Sequence, residues 1–242
     1  MLDLEDAVRP EARQRARDAI HAADLDWSRI VIRIKDGASP HFAADSALLA
    51  DLRAGAVLLS KAESAATLET VRRAAGRDLE LIPQVETARG RAFLAKLLAV
   101  DGGRRTAFGH LDIAVDLRRA PDWDALALAR SMLVLHSRLA DAAAPIDSVT
   151  PDIRDIDRLW TEADAACRFG FGGKQLIHPS QVAAVAAAFA PSDADLDRVE
   201  RVIAACSQGG TGAIALDGKM IDKPVEEDAA RRILARAAQR RG

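Results

Sequence analysis

Short apolar runs alternate with longer segments of helical period along this chain. Segments such as Ala65–Ala75 and Ala125–Ala143 carry apolar residues three and four positions apart, the spacing of an amphipathic helix. The runs between such segments have the length and composition of β-strands. Seven strands are predicted: Leu2–Leu4, Arg29–Ile34, Ala56–Ser60, Leu79–Val85, Arg105–Gly109, Ile146–Thr150 and Lys174–Ile177. This alternation indicates βαβ units and a parallel sheet.

Seven predicted strands are one fewer than the eight that close a (β/α)8 barrel. The pattern therefore predicts an α/β protein with a TIM-type (β/α)8 barrel over residues 1–190 that lacks the first βα unit, which would lie before Met1. A change of pattern after Ala190 predicts a C-terminal extension over residues 191–242. It would consist of a helix, a flap over Ala213–Pro224 and a basic terminal helix.

Charge and composition narrow the function classes. The 34 basic and 36 acidic side chains give a net charge of −2 and are mixed along the chain, which argues against nucleic-acid binding. No window approaches the ~18 consecutive apolar residues that a membrane span requires. The acidic start Met1–Asp6 does not resemble a signal peptide. These features predict a soluble, cytoplasmic protein.

Polar residues that follow the apolar runs are the candidates for chemistry, because the loops at the carboxyl ends of barrel strands build the active site. Glu86 and Asp112 each follow a predicted strand, and two carboxylates suit Mg²⁺, which otherwise takes waters and substrate oxygens. Arg33 closes another strand and could hold a substrate carboxylate with two hydrogen bonds. Either carboxylate alone is explained equally well as a helix cap or a surface charge.

Eight motifs, in order along the whole chain, resemble the citrate lyase β-subunit-like (HpcH/HpaI aldolase) family. They are Asp3–Val8 (DLEDAV), Val31–Ile34 (VIRI), Leu59–Ser64 (LSKAES), Ile82–Gly90 (IPQVETARG), Phe108–Ile113 (FGHLDI), Ile146–Val149 (IDSV), Gly170–Gln181 (GFGGKQLIHPSQ) and Asp217–Pro224 (DGKMIDKP).

The resemblance implies a Mg²⁺-dependent enzyme that makes or breaks a carbon–carbon bond between a 2-oxo acid and an acyl thioester, on coenzyme A or on a carrier protein. Citryl, malyl and citramalyl thioesters are the implied substrates. By the same resemblance Glu86 and Asp112 match the metal ligands. Arg33 matches the arginine that binds the carboxylate of the oxo acid, and Glu5 and Asp6 match acidic residues just outside the ligands.

The C-terminal motif carries a further implied role. Asp222 matches an aspartate that reaches into the active site of a neighbouring subunit and exchanges a proton there. The extension would then pack on that neighbour, which predicts a homo-oligomer, a trimer or a hexamer. Further candidates for substrate contacts are Lys61, Gly109, His110 and Leu111.

The chain departs from the family pattern at several positions. Lys35 stands where the family usually has Asn, Ser60 where it has Pro, and Arg118 where it has Gly. These changes affect the expected identity of the substrate more than the expected binding of the metal. Two alternative functions stay open at this point. One is a truncated, non-catalytic relative that binds an oxo acid or pairs with another subunit; the other is a pyruvate-type metal-dependent aldolase, which would leave Asp222 idle.

Overall fold

The computed structural model of the protein describes residues 1–208, 214–216, 219–221, 229–231, 233–234 and 237. The chain divides into two compact units, Met1–Gln181 and Val182–Gly242. The division after residue 190 and the packing of the extension on a neighbouring subunit stay predictions.

The first unit is built on a parallel seven-stranded sheet whose strands follow one another in chain order. This sequential parallel order is the one a (β/α)8 barrel uses. The α/β class and the parallel sheet are confirmed, whereas closure of a barrel stays a prediction. The strands are β1 (Leu2–Asp3), β2 (Val31–Ile34), β3 (Ala56–Leu59), β4 (Glu80–Val85), β5 (Ala107–Phe108), β6 (Ile146–Asp147) and β7 (Gly173–Lys174).

Helices connect the strands, as the βαβ pattern predicts. The predicted helix at Ala65–Ala75 has those bounds in the structure, and the window Ala125–Ala143 contains a helix that ends at Leu139. The α-helices are α1 (Arg13–His21), α2 (Phe42–Leu48), α3 (Ala65–Ala75), α4 (Ala88–Ala92), α5 (Leu94–Leu98), α6 (His110–Asp116), α7 (Ala127–Leu139) and α8 (Ile156–Phe169). Short 3-10 helices span Pro10–Ala12, Trp27–Arg29 and Pro179–Gln181.

The second unit contains α9 (Val182–Phe189), α10 (Asp193–Gln208) and the antiparallel strands β8 (Ile214–Leu216) and β9 (Lys219–Ile221). Its small core joins one face of α10, including Val199 and Val202, to Ala230. Of the helices in the described ranges, none combines the length and apolar character needed to cross a bilayer.

The two faces of the sheet bury different clusters. Val57 and Leu59 of β3 belong to a large core that includes Leu68 of α3, so this face is covered by helices. Ala56 and Leu58 point the other way, into a smaller cluster with residues of β4 and β5. Alternate residues of a strand share a face of the sheet. The face on which a residue at the end of a strand lies is set by this alternation.

A buried charge cluster ties α7 to the last two strands of the sheet. Asp147 of β6 forms two ion pairs. Its Oδ1 lies 3.1 Å from Arg130 Nε, and its Oδ2 lies 3.1 Å from Lys174 Nζ. The Arg130 guanidinium also lies over the Trp123 ring, 4.0 Å from its centroid. Opposite charges and a ring face therefore compensate for the burial of these cations.

Arg118, two residues after the end of α6, has a backbone conformation that suits glycine. Its φ is +52°, in the left-handed region, and its N–H donates to Val115 O in the hydrogen-bonding pattern of a helix C-terminus. The left-handed conformation costs a side-chain-bearing residue about 1 kcal/mol. Arg118→Gly is therefore expected to raise the free energy of unfolding by ~0.5–1 kcal/mol, measured by urea denaturation. The control Arg168→Gly, near the end of helix α8, should lower it by about 1 kcal/mol; a lower stability for Arg118→Gly would contradict the argument.

Candidate active site

The predicted site residues of the first unit lie at the carboxyl ends of its strands. Arg33 belongs to β2, Glu86 directly follows β4, and Asp112 lies in the first turn of α6, just after β5. In parallel strands with short βα connections, these positions meet at one edge of the sheet.

Arg33 is held by two carboxylates. Asp3 is its partner in the register of β1 and β2, and Asp3 accepts hydrogen bonds from Nε at 2.8 Å and Nη2 at 2.5 Å. Glu5 Oε2 lies 3.1 Å from Nη1. Burial alone would raise the Asp3 pKa, but Arg33 and two backbone N–H groups hold it below the usual value. The guanidinium has five N–H donors, so donors beyond those that bind Asp3 and Glu5 are available for a further anion.

Glu5 and Asp6 surround this arginine with negative charge. Glu5 is buried and also lies 3.5 Å from Lys35 Nζ, whereas Asp6 is exposed and lies 3.6 Å from the same ammonium. Burial raises the pKa of Glu5, and Asp6 adds to that rise, while Arg33 and Lys35 oppose it. Lys35, which departs from the family pattern, therefore places a positive charge beside these two carboxylates.

Glu86 is the most perturbed carboxyl of the site. Only 4% of the residue is exposed, and its Oε2 accepts a 2.9 Å hydrogen bond from the backbone N–H of Lys61. Burial, with smaller contributions from Glu5 and Asp112, raises its pKa to about 8. A buried carboxyl facing other carboxyls is poised to receive a cation, because a positive charge would relieve both causes of the shift.

Asp112 meets Glu86 through Lys61. Lys61 Nζ lies 3.0 Å from Asp112 Oδ1, and both side chains are 40% exposed. Lys61 also has a φ of +44°, in the left-handed region, so one residue with a strained backbone bridges both carboxyls. Within the described ranges, no three His, Cys, Asp or Glu side chains form a metal cluster. A hard cation at this pair would therefore complete its shell with waters and substrate oxygens.

Gly109 provides the space that Glu86 occupies. A Cβ at this position would lie 2.3 Å from Glu86 Oε1 and 2.4 Å from Glu86 Cγ. The φ of Gly109 is negative, so its backbone conformation does not require glycine. Glycine is required here because the Glu86 side chain lies where a Cβ would be.

Gly109→Ala is expected to lower the free energy of unfolding by about 2 kcal/mol, because the buried Glu86 side chain must move or overlap the new methyl group. Urea denaturation measures the change. Gly173→Ala is the matched control, since nothing lies within 4 Å of its added Cβ, and it should change stability by less than ~0.5 kcal/mol. Equal effects of the two substitutions would contradict the assigned role of Gly109.

The polar groups of the segment that follows β5 bind residues that follow or end neighbouring strands. The His110 N–H donates to Ser148 Oγ at 3.0 Å, and His110 Nδ1 lies 2.7 Å from the same oxygen. The Gly109 N–H donates to Val85 O. Burial, with the nearby Arg130 cation, lowers the pKa of His110 to about 4. Substrate contacts by Gly109, His110 and the exposed Leu111 stay predictions.

The structure brings Arg33 and Glu5 together as one group, and Glu86, Asp112, Lys61 and Gly109 as another. Asp222 lies outside the described residues.

Sequence reasoning missed Asp3 as the partner of Arg33 and Ser148 as the partner of His110. The pairing of neighbouring parallel strands could have pointed to Asp3, because Asp3 ends β1 and lies beside Arg33 in the register of β1 and β2. No local signal points to Ser148, which is 38 residues from His110.

Comparison with known proteins gives consistent matches. The family described as HpcH/HpaI aldolase/citrate lyase matches residues 1–179. A citrate lyase subunit beta-like protein of Mycobacterium tuberculosis is 37% identical over 232 residues, which cover 93% of this chain and 82% of that protein. A (3S)-malyl-CoA thioesterase of Cereibacter sphaeroides is 32% identical over 246 residues, covering 98% and 85% of the two chains.

Among solved structures, the CitE protein of Mycobacterium tuberculosis in complex with magnesium, acetoacetate and coenzyme A superposes with a TM-score of 0.86 and 35% identity. The match covers 98% of this chain and 88% of that one. The resemblance drawn from the eight motifs is thereby confirmed: the chain belongs to the HpcH/HpaI aldolase/citrate lyase family.

Proposed function

We propose that this protein is a Mg²⁺-dependent carbon–carbon lyase that cleaves or forms a 3-hydroxyacyl thioester, of the citryl-, malyl- or citramalyl-CoA type. The products of cleavage would be a 2-oxo acid and an acyl thioester. The observation that carries the proposal is the convergence of Glu86 and Asp112 on Lys61 at the carboxyl edge of the sheet.

The residues present fit a divalent cation. Glu86 and Asp112 offer the oxygen ligands that Mg²⁺ prefers, and Gly109 leaves room for the Glu86 carboxyl. Burial raises the pKa of Glu86 to about 8, and a bound divalent cation would favour the ionised carboxylate over the protonated form. Two relatives support the choice by their chemistry: one is solved with magnesium and coenzyme A, and the other is named for a malyl-CoA substrate.

When bound, Mg²⁺ would supply a Lewis acid that polarises a substrate oxygen. The chain itself would bind and orient the oxo acid. The N–H groups of Arg33 that contact neither Asp3 nor Glu5 would hold the substrate carboxylate, and Asp3 and Glu5 would fix the plane of the guanidinium.

Cleavage also requires that a proton be exchanged with the acyl fragment at the carbon released from the bond. The resemblance of the C-terminal motif supports Asp222 of a neighbouring subunit in this role. The same proposal therefore includes a homo-oligomer, a trimer or a hexamer. Light scattering that finds a monomer at assay concentration would contradict this part.

The test is calorimetric titration of the full chain with oxaloacetate, pyruvate and glyoxylate, with and without Mg²⁺. Mg²⁺-dependent binding of at least one oxo acid is expected. Product analysis with malyl-CoA then separates the outcomes. Glyoxylate and acetyl-CoA support the lyase, whereas free malate indicates thioester hydrolysis. Absence of oxo-acid binding under both conditions overturns the proposal.

The affinity for Mg²⁺ is expected to depend on pH through Glu86. The folded pKa of about 8 lies above the ordinary value of 4.5, so the carboxyl is protonated below pH 8 and must lose its proton when a cation binds. The affinity should therefore rise by up to about tenfold per pH unit toward pH 8 and level off above it. Calorimetry in two buffers of different ionisation enthalpy measures the proton released. A flat profile without proton release would contradict the role of Glu86.

A further inference from the structure

Lys61 places a positive charge where the proposed function needs a metal ion. Its Nζ lies 3.0 Å from Asp112 Oδ1, and its backbone N–H binds Glu86 Oε2 at 2.9 Å. The ammonium is thus the cation paired with Asp112 in the structure, and the backbone N–H of the same residue binds Glu86.

The two contacts of Lys61 differ in how easily they break. The N–H contact to Glu86 is fixed by the backbone, which the φ of +44° holds in the left-handed region. The Nζ contact to Asp112 ends a flexible four-carbon side chain, and 40% of each side chain is exposed. The ammonium can therefore leave Asp112 for solvent while the backbone keeps Glu86 in place.

A divalent cation and this ammonium compete for one oxygen. If Asp112 Oδ1 bound Mg²⁺ while Lys61 Nζ stayed 3.0 Å away, the two cations would repel each other strongly. The metal must displace the ammonium, so part of its binding free energy is used to break the Lys61–Asp112 ion pair.

We propose that Lys61 is an internal competitor of the metal: its ammonium pairs with Asp112 in the metal-free protein and leaves when a divalent cation binds. Lys61 then sets the affinity for the metal and weakens it relative to the carboxyl pair alone. This inference rests on the proposed function, because it takes Glu86 and Asp112 as the metal ligands.

Mg²⁺ titration by calorimetry tests the inference. Lys61→Met removes the ammonium and should bind Mg²⁺ about tenfold more tightly than the wild-type chain. Lys61→Gly serves as the second variant, because glycine adopts the positive φ without strain and keeps the N–H to Glu86. Lys61→Arg keeps the charge and should stay within about threefold of the wild type.

Lys96→Met is the matched control. Lys96 is an exposed residue of α5 whose Nζ lies over the Phe93 ring, and the substitution removes the same charge from another part of the surface. Its affinity for Mg²⁺ should equal that of the wild type. A gain in Lys96→Met as large as that in Lys61→Met would show a general charge effect and overturn the inference.

The remaining outcomes separate the two proposals. Unchanged or weaker Mg²⁺ binding in both Lys61→Met and Lys61→Gly overturns the competitor role but leaves the metal site intact. No Mg²⁺ binding by the wild type or any Lys61 variant overturns the metal site of the proposed function, and the competitor role with it.

Discussion

Glu86→Gln is expected to weaken Mg²⁺ binding by at least about a hundredfold, since it removes the charge from one of only two proposed protein ligands. The amide keeps the size of the carboxyl and can still accept the N–H of Lys61 through its oxygen, so the fold should persist. Activity in a lyase assay should fall below about a thousandth of the wild-type kcat/KM, the scale of losing the main stabiliser of developing charge.

Calorimetric titration with Mg²⁺ checks this result directly. Glu63→Gln is the matched control: Glu63 lies on the same loop as Lys61 and accepts a hydrogen bond from Thr87 Oγ1. We do not propose it as a ligand, so its substitution should change the affinity for Mg²⁺ less than about threefold. Wild-type affinity in both Glu86→Gln and Asp112→Asn would remove the metal assignment altogether.

Arg33→Lys is expected to weaken binding of the oxo acid by about a hundredfold while the affinity for Mg²⁺ stays the same. Lysine keeps the positive charge beside Asp3 and Glu5, but it lacks the planar fork that can bind Asp3 through one edge and a substrate carboxylate through another. Pyruvate titration at saturating Mg²⁺ measures the loss, and Mg²⁺ titration alone measures the unaffected step.

Arg29→Lys is the control for Arg33→Lys, because Arg29 is exposed and lies shortly before β2. It should bind pyruvate like the wild type. Equal pyruvate affinity in Arg33→Lys and the wild type would show that the guanidinium does not hold the substrate. Its contacts with Asp3 and Glu5 would then have a structural role alone.

Much of the sheet could be predicted because each strand carries its own apolar signal. The bounds of β3 differ from the prediction by a single residue, and its order beside β2 and β4 follows from the βαβ pattern. Strands β5 to β7 are shorter than predicted. Beyond β6, the Ser148 hydroxyl bonds to His110 and the Thr150 hydroxyl to Glu162, contacts that no local pattern contains.

The candidate site shows the same division between local and distant information. The positions of Arg33 near the end of its strand, and of Glu86 and Asp112 after theirs, follow from the chain pattern, together with the family resemblance. That Lys61 spans two of these residues does not, because it requires an unusual φ at a lysine and contacts across 25 and 51 positions. Arg118 is a related case. Its departure from the family's glycine is visible in the sequence, but only its φ of +52° shows why a glycine suits the position.

The buried cluster of Arg130, Asp147 and Lys174 constrains how this chain can change over evolutionary time. Asp147 pairs with two buried cations, so a neutral replacement at that position removes the carboxylate partner of Arg130 and leaves Lys174 with only Glu162, whose Oε2 lies 3.7 Å away. Loss of either cation leaves the other one paired with Asp147. The fitness effects of the three positions are therefore unequal and depend on one another. Paths of single substitutions away from this cluster should begin at a cation and reach the aspartate last.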